Sequence, residues 1–73
     1  MMHSIEKIKS AKFAAYIQSE IADSDYSAKD IAMVAWPEIK PATRISRMHA
    51  FLRGERAAGK ELMAALKQLK IIE

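Results

Sequence analysis

The segment "SAKDIAMVAWPEIKPATRISRMHAFLRG", residues 27–54, carries start and stop signals for two successive helices. Ser27 is an N-cap residue, and Asp30 three places later puts a carboxylate at the positive end of the helix. A strict capping box has Glu or Gln at that place. Tyr26 before the cap and Ile31 within the helix have the spacing of a hydrophobic staple. Ala28, Ile31, Ala32 and Ala35 recur on one inward face, and the alanines let another helix come close. Trp36 stands before Pro37, which disfavours helical backbone at Trp36 and ends the helix, leaving "PEIK" as a turn. Pro41 suits the first position of a new helix, where a missing N–H costs nothing. On this second helix Ile45, Met48 and Leu52 share one face. Thr43, Ser46, Arg47 and Ala50 share the opposite face, with Arg44 and Phe51 on the flank. Gly54 is its natural C-terminal stop.

The flanks read as helices too. A first helix is expected from about Ser4 to about Ala22, with Ile5, Ile8 and Tyr16 on one side and Phe13, Ile17 and Ile21 on another. That arc is too wide for one ordinary contact face, so the helix is either wrapped by the others or meets a second subunit. A loop, "GERAAG", leads to a last helix from about Ala58 to Lys70, with Leu62, Ala65, Leu66 and Leu69 inward. Ile71 and Ile72 remain near the terminus, where a single chain would struggle to bury both. Ile5, Ile8, Ile71 and Ile72 are therefore the candidates for a homodimer contact. Trp36 is expected as a core plug, Met33, Met48 and Met63 as core or near-core filler, and His49 as a partly buried packing residue. Valine occurs once and no run alternates apolar with polar residues, so strands are not expected. The fold class is all-α: a single domain over residues 1–73, with four to five helices.

Composition narrows the function. A chain of 73 residues buries only about 60% of its unfolded surface, which leaves a modest core and no deep enclosed active site. There is no cysteine, so neither disulfides nor thiolate zinc ligands contribute. No acid pair, His-rich cluster, Gly-rich phosphate loop or nucleophile with a neighbouring base stands out. An enzyme, a cofactor and a metal are therefore not expected. The start, "MMHSIEKIKSAKF", has no long apolar run, which argues against a signal peptide or membrane span and makes the cytoplasm the default.

Charge is unevenly placed. Residues 1–40 hold five lysines against six acids, a net of −1, whereas residues 41–73 hold four arginines and three lysines against three acids, a net of +4. The second half is therefore the half that would face something anionic. All four arginines fall between residues 44 and 56. Two short helices joined by a turn are the helix-turn-helix plan. The outer face of the second helix (Thr43, Ser46, Arg47) is small and almost free of acid. Small residues let a helix sit deep in a groove, and Arg47 offers a fork to guanine O6 and N7. Ser27 brings backbone N–H groups and a positive helix end suited to a phosphate. Arg53 and Arg56, past the helix end, would reach the flanking backbone.

"AKDIAMVAW…PATRISRMHAFLRG" resembles the helix-turn-helix of phage lambda repressor and Cro-like proteins. The resemblance includes Ile31 and Ala32 in the first helix, Ile45 and Met48 in the second, then a Gly-containing loop and a Leu-rich helix. It covers residues 13–70. It implies that Ala42, Thr43, Ser46 and Arg47 read bases, and that Ser27, Arg44 and Arg53 contact phosphates. The chain departs from the family in having Trp36 where a glycine is usual, and in a longer turn, "WPEIKPA". The expected function is a sequence-specific transcriptional regulator, a repressor of phage or prophage type, that binds double-stranded DNA as a homodimer with half-sites about one DNA turn apart. It would act in the bacterial cytoplasm, at the nucleoid, without membrane contact or a small-molecule effector. The alternative is a small protein-interaction module, an antitoxin or inhibitor, whose arginine face meets an acidic protein. A non-specific nucleoid-type binder and a winged-helix variant are the further alternatives.

Overall fold

The structure, a computed structural model, describes the backbone of residues 2–72 and the side chains of residues 11–72. Its chain order is α1 (Met2–Ala22), α2 (Ala28–Ala35), α3 (Pro41–Leu52) and α4 (Lys60–Gln68). No strand occurs among the described residues, so the all-helical expectation holds. α2 packs against both α3 and α4, and α1 packs against α3.

Each boundary has a local cause. α1 ends where the Ser24 hydroxyl donates to the carbonyl of Ile21 at 2.8 Å. α2 begins with a complete capping box: the Ser27 hydroxyl accepts from the Asp30 N–H, and the Asp30 carboxylate accepts from the Ser27 N–H at 2.9 Å. Aspartate thus does the work that the sequence pattern reserves for Glu or Gln. Trp36 closes α2 by donating its N–H to the Ala32 carbonyl at 2.9 Å, and Pro37 prevents any further turn. Pro41 opens α3.

α3 and α4 end in the same way. At Gly54, φ is +77°, the Gly54 N–H donates to Phe51 and the Glu55 N–H donates to Ala50. This pair of bonds is a Schellman closure, which favours glycine at the left-handed position. At the end of α4 the Lys70 N–H donates to Lys67 and the Ile71 N–H to Leu66, with Lys70 at φ +60°. Here a lysine takes the left-handed conformation without a glycine's freedom. The reversal turns Ile71 back into the molecule.

The core consists of Ile17 from α1, Ile31, Ala32 and Ala35 from α2, Met48 and Phe51 from α3, Leu62, Ala65 and Leu66 from α4, with Trp36 and Ile71. Phe13 meets Phe51 edge-on at 5.9 Å between ring centres. Several expectations are corrected. Phe51 is fully buried and not on the flank, because α1 covers that side of α3. Met33 is 47% exposed and Tyr16 51% exposed. α4 is shorter than expected, since Ala58 and Gly59 belong to the loop. Ile71 is buried within one chain by the Lys70 turn, so it needs no second subunit to cover it. Ile72 is half-buried, and the side chains of Ile5 and Ile8 lie outside the described residues.

The two closures yield opposite expectations. A Cβ on Gly54 would come within 3.0 Å of the Ala11 Cα, besides being strained at positive φ. Gly54→Ala should lose about 2 kcal/mol, whereas Lys70→Gly should gain up to about 1 kcal/mol. Thermal unfolding followed by circular dichroism reads both. A Lys70→Gly variant that melts earlier would contradict the left-handed closure of α4.

Candidate nucleic-acid interface

From Ile39 to Gly54 the chain carries no carboxylate, while Lys40, Arg44, Arg47 and Arg53 fall within it. On α3, Met48 and Phe51 point into the core, and Ala42, Thr43, Ser46 and His49 are exposed on the far side. The exposed positions recur at helical spacing and form one continuous stripe of small polar and apolar groups. Lys40 stands exposed at its beginning and Arg53 at its end. His49 was expected as a packing residue; it belongs instead to this outer stripe. Its spacing of three from Ser46 and seven from Ala42 was the signal.

The arginines around the stripe are held in place by the fold. Arg44, half-buried, donates from Nη1 to the Ile39 carbonyl at 3.0 Å. That charge-assisted bond ties the start of α3 to the turn that precedes it. Arg53 grips Glu55 with two parallel bonds, Nε to Oε2 at 2.9 Å and Nη2 to Oε1 at 3.2 Å. The Glu55 carboxylate pushes the Arg53 guanidinium further into its charged form. Both groups are well exposed, and an exposed ion pair contributes little, so another anion can compete for Arg53 at small cost. Arg47 and Arg56 share a different partner, Trp36. Their guanidinium carbons lie 5.6 and 5.9 Å from the centre of its ring. Trp36 is only 6% exposed, as expected of a core plug, but it also organises these two cations. Nothing in the sequence pattern signals a contact between residues so far apart in the chain.

Ser27 fares worse as a phosphate ligand. Its N–H is committed to Asp30, whose carboxylate is held below its ordinary range chiefly by hydrogen bonds from the Ser27 backbone and hydroxyl. The start of α2 therefore already has an anion on it, and a phosphate there would meet a fixed negative charge. The structure thus brings Ala42, Thr43 and Ser46 together on one face of α3, with Arg53 exposed past its end, holds Arg44 against the preceding turn and Arg47 and Arg56 at Trp36, and leaves Ser27 as a helix cap.

Among the described residues, no group of three or more His, Cys, Asp or Glu side chains could hold a metal ion. None of the helices is long and apolar enough to cross a membrane among those residues. No protein-family model matches the chain, and neither a curated protein nor a solved structure matches it.

If the arginine face exists for a partner and not for the fold, its truncation should spare stability. Arg47→Ala should cost no more than about 2 kcal/mol, the worth of a partly desolvated cation–π contact. Trp36→Ala, which empties a core site, should cost about 3–5 kcal/mol. Urea unfolding of the two variants makes the comparison. Equal losses would make Arg47 a structural residue.

Proposed function

We propose that this chain is a sequence-specific DNA-binding regulator of the repressor type, with α2 and α3 acting as a helix-turn-helix and α3 entering the major groove. One observation carries the reading: the outer face of α3 is exposed, built from small residues, and free of carboxylates over its whole length. Small side chains there let the helix backbone approach base edges closely. Thr43 and Ser46 supply hydroxyls that donate or accept, and Ala42 offers a methyl group to thymine. In this reading Arg44, Arg53 and Arg56 meet the phosphates on either side. A single helix reads only a few base pairs, so the domain is expected to act as a homodimer on two half-sites. Ile72 remains a contact candidate on the described surface, and the exposed Tyr16 joins it; Ile5 and Ile8 stay candidates by sequence.

Selection of bound sites from a random duplex library tests this reading. An inverted repeat with half-site centres about one helical turn apart is the expected outcome. With roughly eight cationic side chains per dimer on phosphates, log affinity for that site should fall against log salt with a slope of roughly −7. Retention without an enriched motif would mean backbone binding alone. Absence of retention at low salt would overturn the DNA reading and favour an acidic protein as the partner of the arginine face.

A further inference from the structure

Two guanidinium groups from different elements converge on one ring. Arg47 belongs to α3 and Arg56 to the segment after it, yet both guanidinium carbons lie within 6 Å of the Trp36 ring centre. Among the described residues neither cation is in an ion pair with a carboxylate. The ring attracts each of them weakly, while the two positive charges repel one another. The fold therefore concentrates two cations at one place, against a ring whose pocket is also lined by Glu38 and Glu61.

We infer that Arg47 and Arg56 form one clamp for the phosphate backbone of DNA, with Trp36 as its support, so that Arg47 positions the duplex and does not read a base. This rests on the DNA-binding reading above. Reading guanine takes an arginine that stands out from the helix face, so that its fork meets O6 and N7 together. Arg47 is half-buried and is drawn towards Trp36 at the end of α2. A guanidinium against an indole still has N–H donors at its edge. A phosphodiester has two non-bridging oxygens and takes donors from several directions, which suits forks arriving from two elements. The clamp also stands beside the exposed stripe of Ala42, Thr43 and Ser46, where the sugar-phosphate wall of a groove would lie if the stripe entered it. Base reading then falls to Ala42, Thr43, Ser46 and His49.

The test compares the full chain with Arg47→Ala, Arg56→Ala, the double variant and Arg47→Lys. Each is titrated with the selected duplex and with an unrelated duplex over a range of salt, by fluorescence anisotropy of labelled DNA. Melting curves of each variant establish that it is folded, and Trp36, the only tryptophan, reports the clamp through its own emission. Either alanine substitution should weaken binding roughly tenfold on both duplexes and reduce the salt slope by about 1. The double variant should lose less than the product of the two single losses, because both act on one stretch of backbone. Arg47→Lys should keep the salt slope and most of the affinity. Trp36 emission should change on binding in the wild type. A loss confined to the selected duplex, with relaxed preference at one base position, would overturn the clamp and make Arg47 a base reader. Binding that neither alanine substitution weakens would overturn the clamp alone. Failure of the wild-type chain to bind either duplex would overturn the DNA reading and the clamp with it.

Discussion

The break at Trp36–Pro37 is the constraint on which the other features depend. The Trp36 N–H still completes α2, but the proline ring after it admits no further turn. The chain must leave the helix there, with the largest side chain in the protein at the exit. That side chain is buried with Ala35, Ile31 and Leu62 in the common core, so the exit point is anchored to both α2 and α4. The connection to Pro41 is then short, and Arg44 fastens it by bonding back to the Ile39 carbonyl. α3 is thereby held with Met48 and Phe51 inward and an acid-free stripe outward. The same indole is the surface on which Arg47 and Arg56 come together, so one side chain serves both packing and charge placement.

The helix ends distribute the remaining stability. Gly54 lets α3 stop against α1, where the nearest Ala11 atoms leave no room for a larger residue. Lys70 performs a similar closure without a glycine and thereby seats Ile71 in the core. A domain this small buries a limited fraction of its surface, so a single isoleucine folded back from the terminus is a substantial share of its apolar contact.

Much of the fold was legible in the residues, because its signals are local. The Ser27 cap, the Trp36–Pro37 stop, Pro41 at a helix start and Gly54 at a helix end each act within a few positions. The inward faces of α2 and α4 follow from the recurrence of apolar residues at helical spacing. What escaped was set by contacts between distant residues. Phe51 is core because α1 lies over it, and nothing near Phe51 announces α1. Ile71 is buried because Lys70 adopts a backbone conformation that its residue type disfavours. The arginine cluster was conspicuous as composition, but its arrangement was not. Arg47 and Arg56 meet at a tryptophan that reads, by sequence, as plain core, and Ser27 loses its appeal to a phosphate only once Asp30 is seen to occupy the helix start.

The central proposal is that the outer face of α3 is a surface for DNA. The most direct measurement follows the backbone amide resonances of the isotopically labelled protein as a short duplex is added at low salt. The largest shifts should gather at Ala42, Thr43, Ser46 and His49 and in residues 53–56, with α4 little changed. Shifts collected on α4 or α1 while the outer face of α3 stays silent, or no shifts at all, would contradict it.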